Sequence, residues 1–359
     1  MQKNWQKLKS NVNLRERFLL REKIVDSIRL FFKSRHFHEV ETPLMTSCPP
    51  TDPYFDLFET TLELPNGQTQ AAYFYTSPEY SLKKLLAADF GNIFEICKTF
   101  RNKESLGGMH NPEFTIMEFY RINANYFDVM ADFEKMLFFI CQTLQINAKR
   151  FVYQSKNYDL TPPYPKFSVA ELFSKYLHLS ADEFLALKPL QKKAASLNYD
   201  LSSLANLSPN LAWEELYNQL FLNEIESQLA QFNQPVLVYD YPAVQATLAR
   251  KTATDPRFAE RFEVYLAGME LGNAFGELID PVVQERGLRH DLQVRRQLGK
   301  KDQKIDQDFL AALESGLPPC SGMAVGIDRL IMLFADVDDI DEVLLFPASQ
   351  IFTDAETHS

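Results

Sequence analysis

Glu263, Glu270 and Glu277 stand seven residues apart around an Ala267-Gly268 turn signal. If the chain turns there as a hairpin, Glu270 faces Tyr265. Glu263 then shares that surface one diagonal step away, a gap of about 7–8 Å. Two carboxylates so placed repel unless a cation sits between them, and Mg²⁺ held by nucleotide phosphates is the usual one. Glu277 has the opposite parity and joins the surface only through a β-bulge, which Gly272 or Gly276 can supply. The alternative is three solvated acids on an exposed face.

Arg101 follows the strand-like run 93–100 and opens a polar loop that returns through His110-Asn-Pro-Glu-Phe114. A guanidinium there can hold a phosphate and a carboxylate together, being a rigid fork of donors. It can equally be a salt-bridged arginine on a surface hairpin. Ser77-Pro78-Glu79 with Glu118 and Tyr120 offers two acids and a phenol for an ammonium group. Glu118 and Tyr120 are two apart on a strand and so share a face, while Glu79 can also be a favourable first-turn acid of a helix. Gly322-Met-Ala-Val-Gly326-Ile-Asp-Arg329 is a small-residue strand feeding a helix. It suits close approach of a ligand to backbone, with Arg329 near a triphosphate. Strand–helix packing with an Asp328–Arg329 pair is the other reading.

The positioning elements are read from periodicity and breakers. Helices are expected over 14–36, over 78–88 with Ser77 as N-cap, and over 126–144, 281–298, 304–313 and 327–334. Strands are expected over 73–76, 93–100, 114–121, 235–239, 261–266, 269–275 and 320–326. Residues 65–67 mark a hairpin, 150–165 an irregular proline-rich stretch and 160–232 a mostly helical insert. The order implies an α+β fold with a largely antiparallel sheet. Residues 14–347 form the domain, 1–13 a polar, loose lead-in and 348–359 a tail.

The chain has 359 residues, 46% hydrophobic, and a formal charge of −11. That charge opposes a broad nucleic-acid footprint, because phosphate binding draws on Lys and Arg. Cys48, Cys97, Cys141 and Cys320 form no CxxC pair, so free thiols in a reducing cytosol are expected. Neither a signal peptide nor a membrane span is visible. The expected location is the cytoplasm.

Taken together, these segments resemble class II aminoacyl-tRNA synthetases, the lysyl branch in particular. Phe37-His-Glu-Val-Glu-Thr-Pro43 resembles the first class motif, which implies a homodimer. Phe100-Arg-Asn through Glu118-Phe-Tyr120 resembles the second, and Gly326-Ile-Asp-Arg329-Leu the third. Arg261-Phe-Glu-Val-Tyr, Met269-Glu-Leu-Gly-Asn273 and Phe275-Gly-Glu-Leu resemble the lysyl-specific stretch between them. The resemblance implies a class II-type antiparallel sheet flanked by helices, ATP and Mg²⁺ as cofactors, and formation of an aminoacyl-adenylate. Arg101 and Arg329 would be catalytic. Asn102, Lys103, His110, Asn111, Phe114, Glu270, Leu271, Asn273 and Gly326 would join them around ATP. Glu263 and Glu270 would hold the metal, and Ser77, Pro78, Glu79, Glu118, Tyr120, Glu277 and Ala324 the amino acid. Where the family usually carries glutamate this chain has Lys103, with Glu104 as the substitute acid.

Residues 1–13 leave no room for the anticodon-reading barrel of full-length lysyl enzymes. The chain therefore resembles the stand-alone paralogues that lysylate elongation factor P, with lysine or (R)-β-lysine as the activated amino acid. Ala324, where lysyl enzymes generally have glycine, agrees with that. A truncated synthetase acting on tRNA is disfavoured by the acidic charge. A non-catalytic amino-acid-binding paralogue is the third reading.

Overall fold

The computed structural model describes residues 2–352, and 353–359 of the expected tail lie outside the described residues. A long helix, α1 (Val12–Lys33), begins where the Asn11 side chain accepts from the Leu14 N–H, satisfying a helix-end donor. Ile24, Ile28, Phe31 and Phe32 fall on one stripe of it and are fully buried.

Eight strands form the main sheet: β1 (His38–Glu39), β2 (Ile93–Phe100), β3 (Glu113–Ile122), β4 (Lys166–Ser168), β5 (Val236–Pro242), β6 (Phe258–Leu266), β7 (Met269–Gly276) and β8 (Cys320–Gly326). Their spatial order is β1-β2-β3-β8-β7-β6-β5-β4. The interior pairs are antiparallel, and only the outermost pair at each edge is parallel. The sheet stays open, as the expected class II-like α+β arrangement requires.

Alternation assigns the two faces. Phe94, Met117, Phe119, Phe262, Val264, Ala274, Met323 and Val325 enter one large core with α1, α3 (Tyr126–Thr143) and α6 (Ile327–Phe334). The opposite face carries the polar residues. Over part of it pack α2 (Glu79–Ala87), α4 (Pro281–Gln297) and α5 (Gln307–Gly316), with Tyr80 stacked on Phe309 at 4.3 Å. The helices between Val169 and Leu229 bury Phe173, Phe184, Leu216, Tyr217 and Leu220 in their own cluster, which also takes in Val236 and Val238 of β5.

Some expectations change. The lead-in is anchored: Asn4 is buried, and its Nδ2 donates to Asp341 O (2.7 Å) and Leu344 O (2.8 Å). Residues 348–351 form a short helix joined to it through Gln350, whose Oε1 accepts from the Asn4 N–H. The stretch 150–165 contains a hairpin, Phe151–Tyr153 with Lys156–Tyr158. Pro78, rather than Ser77, occupies the cap position of α2.

Candidate active site

Strand pairing arranges the polar face in rows. One row runs Glu263, Asn273, Ala324, Glu118, and the next runs Arg261, Phe275, Gly322, Tyr120. Tyr265 faces Glu270 as expected, but Val264 faces Gly272. Leu271 is therefore the extra residue of a bulge beside Gly272. This bulge turns Asn273, Phe275 and Glu277 to the same face as Glu270. Leu271 sends its side chain into the core, so it can offer the cleft only backbone. A Cβ at Gly272 would meet Ala324 O at 2.5 Å, which is why the crossing tolerates only glycine.

Above the rows lies a cleft of about 480 Å³. Arg101, Glu270 and Arg329 all line it, with Glu118, Tyr120 and Glu277. Ser77, Glu79, Glu104, Phe114, Asn273, Ala324 and Gly326 line it too.

At one end, the Arg101 guanidinium lies over the Phe55 ring at 3.9 Å and the Phe114 ring at 5.0 Å. Burial pulls its pKa down, and its Nε has no hydrogen-bond partner. Among the described residues it makes no ion pair within 4.0 Å. Phe55 belongs to a loop held by Arg295, which donates to Asp52 O at 2.6 Å, and by Lys300, which donates to Tyr54 O at 2.7 Å. Arg329 donates to Glu270 O at 2.9 Å and contacts His110 Nε2 at 3.2 Å. Burial and the neighbouring Arg329 charge hold His110 below its usual pKa. Asp328 does not pair with Arg329: it accepts from Arg21 at 2.5 Å and from the Thr115 N–H at 2.6 Å.

At the other end, Ser77 Oγ accepts from the Glu79 N–H at 3.1 Å and donates to Glu118 Oε1 at 2.5 Å. The Tyr120 hydroxyl donates to Glu118 Oε2 at 3.0 Å. Burial, with Glu79 and Glu277 adding, pushes Glu118 up to about 8. Burial also raises Glu277 to about 7, although Lys83 opposes the shift. The Lys83 Nζ lies 2.6 Å from Glu79 Oε1 and 2.6 Å from Glu277 Oε2.

The acid pair at the hairpin is asymmetric. Glu263 accepts from Arg261, Tyr241 and Tyr265, so its oxygens are already engaged. Glu270 faces the cleft, its carboxylate 3.7 Å from Arg329. Burial and the Glu263 charge raise the Glu270 pKa. Among the described residues no three His, Cys, Asp or Glu side chains gather as a metal cage.

Four expected contacts are placed differently. Asn102 and Lys103 point out of the cleft. Asn102 Nδ2 donates to Leu57 O at 3.3 Å, and Lys103, at φ 60°, pairs with Asp56 at 3.1 Å. Glu104 takes the cleft position instead. Pro78 serves the start of α2 rather than the cleft. Asn111 lines the cleft, but its amide is committed, donating to Glu113 O and accepting from the Ala348 N–H at 2.9 Å.

The sequence assigns no role to Lys83 or Phe55, and places Arg261 in the lysyl-type stretch without one. Lys83 carried a signal, standing four residues after Glu79 on one helix face. Arg261 also did, two residues before Glu263. Phe55 gave none, because loop residues have no period.

A family profile described as tRNA synthetases class II (D, K and N) matches residues 1–350. The chain is 39% identical over 348 residues to the elongation factor P–(R)-β-lysine ligase of Proteus mirabilis, covering 96% of this chain and 97% of that one. It is 38% identical to the protein of that name from Vibrio parahaemolyticus, covering 97% and 99%, and 36% identical to that of Histophilus somni, covering 96% and 98%. The ordered synthetase-like blocks on one open antiparallel sheet, together with matches along nearly its whole length, mean that this chain belongs to the class II tRNA synthetases (D, K and N), within the family of the elongation factor P–(R)-β-lysine ligases.

Proposed function

We propose that the protein activates lysine or (R)-β-lysine with ATP and transfers it to the ε-amine of a lysine on elongation factor P. The observation that carries this is the bipolar cleft. A half-buried arginine whose Nε is buried without a partner stands at one end, and three carboxylates with a phenol stand at the other. A diamino acid has the complementary form, with one carboxylate and two ammonium groups. The names of the relatives supply the acceptor protein.

In the first step the amino-acid carboxylate attacks the α-phosphorus of ATP, forming an anhydride bond as the bond to pyrophosphate breaks. Arg101 orients both reacting anions and offsets the negative charge that develops. Arg329, tied to the backbone of Glu270 and to His110, is preset for the triphosphate. Phe114 and His110 offer faces for the base. In the second step the acceptor ε-amine attacks the anhydride carbonyl, forming an amide as AMP leaves. No enzyme nucleophile is needed.

The donor set fits Mg²⁺ in part. Mg²⁺ usually takes one or two carboxylates and completes its shell with phosphates and water. Glu270 can supply a ligand directly, whereas Glu263 must first share its oxygens with Arg261, Tyr241 and Tyr265. Bound there, the ion would neutralise the departing pyrophosphate.

No helix among the described residues is long and apolar enough to cross a membrane. Together with four free cysteines, this supports a cytoplasmic protein, and the first class motif supports a homodimer. The deciding experiment has two arms. Amino-acid-dependent ATP–pyrophosphate exchange tests activation. Transfer of labelled lysine or (R)-β-lysine to purified elongation factor P, with tRNA as the comparison, tests the acceptor. Transfer to tRNA alone would overturn the assignment.

A further inference from the structure

Lys83 sits one helical turn beyond Glu79 on α2, and its side chain has no exposed surface. An ammonium wholly withdrawn from water persists only if it is paired. Its partners are Glu79 on its own helix and Glu277 just past β7. Cys320 from β8 also faces it, while Glu118 and Tyr120 from β3 act on its two partners and Arg250 on Glu277. The Phe309 ring of α5 closes the far side, 5.9 Å from Nζ.

This arrangement sets a charge count. Glu79, Glu118 and Glu277 can carry three negative charges, and Lys83 cancels one, leaving two. A diamino acid brings two ammonium groups to that end, while its carboxylate belongs with Arg101. An amino acid with one amine would leave one buried carboxylate unpaired, which is costly. Without Lys83, the crowded carboxylates would hold their protons to still higher pH, and those protons would compete with the ligand.

We propose that Lys83 is a positioning and specificity residue. As an internal counter-ion between Glu79 and Glu277, it matches the pocket's negative charge to the two ammonium groups of the amino acid. This deepens the functional reading above and rests on it.

The test is Lys83→Gln in amino-acid-dependent ATP–pyrophosphate exchange between pH 6 and 9, alongside the unsubstituted enzyme and Lys83→Arg. In Lys83→Gln the KM for lysine or (R)-β-lysine rises tenfold or more at pH 7. The midpoint of its pH dependence moves up by at least one unit, because the charge that chiefly opposes protonation of Glu277 is gone and only Arg250 still does. The KM for ATP stays unchanged. Lys83→Arg keeps the charge and the original midpoint. A merely structural lysine predicts a lower kcat with amino-acid KM and midpoint untouched, and that result overturns the proposal. If Lys83→Gln does not fold, Lys83→Arg decides: an unmoved midpoint supports the charge role, and a displaced one overturns it. No exchange by the unsubstituted enzyme with either amino acid refutes the functional reading itself, and this proposal with it. That outcome is distinct from an unaltered Lys83→Gln.

Discussion

The Tyr120 ring lies against the Cα of Gly322, its partner across the β3–β8 ladder. A Cβ built on Gly322 would stand 2.3 Å from Tyr120 Cε1 and 2.9 Å from Glu277 Oε1. The missing side chain is what allows a phenol and a carboxylate to share the pocket floor.

Gly322→Ala should therefore displace Tyr120. Its expected effect is a rise of about tenfold or more in amino-acid KM, since roughly 1.4 kcal/mol of binding is a factor of ten. Overpacking should also lower stability by about 1–3 kcal/mol. ATP KM should not change. Pyrophosphate exchange with both substrates varied separately, plus a thermal melt, checks it. An unaltered amino-acid KM counts against the pocket assignment.

Glu270→Gln removes the cleft-facing carboxylate of the hairpin pair and keeps its shape. Adenylate formation should fall by about 10²-fold or more. The fold should hold, because a neutral amide relieves repulsion from Glu263. Normal exchange in this variant would remove Glu270 from the metal site.

Arg101→Met tests whether the half-buried guanidinium is kept for ligand rather than for stability. A charge held partly out of water without an ion-pair partner adds little to folding, so the ligand-free melting temperature should stay about level. Exchange should drop by about 10²-fold or more. A strongly destabilised, still active variant would contradict this assignment.

The pocket acids predict opposite pH trends for binding and for stability. Glu118 at about 8 and Glu277 at about 7 hold protons in the folded, empty protein that the unfolded chain, near 4.5, releases earlier. The native state thus binds more protons in this window. The contribution of these groups to stability then falls as pH rises from about 5 to 8. Ammonium binding needs the ionised acids, so amino-acid KM should fall as pH rises from 6 to 8. Thermal melts with and without lysine across that range check both signs: added lysine should stabilise more at pH 8 than at pH 6.

Ala324 lies between Asn273 and Glu118 in one row of the sheet. Ala324→Gly should deepen the floor there and shift preference toward α-lysine. The ratio of kcat/KM for α- and β-lysine measures it, and an unchanged ratio would exclude Ala324 from substrate choice.

Local pattern alone determined much of this protein. Alternation along 114–121 put Glu118 and Tyr120 on one face, opposite Met117 and Phe119, because successive strand side chains point to opposite sides. Small residues and a helical stripe set the 320–326 strand and the 327–334 helix to the residue. What the tertiary structure alone decided is which distant residues become neighbours. The bulge at Leu271 brings Glu277 onto the face of Glu270, Arg21 takes Asp328 away from Arg329, and a left-handed turn at Lys103 sends it out to Asp56. Lys83 joins Glu277 across 194 residues of chain, a pairing set by helix-on-sheet packing rather than by spacing. Periodicity encodes the side of an element a residue occupies. The partner it meets there depends on strand register and helix docking, which arise only when the whole core closes.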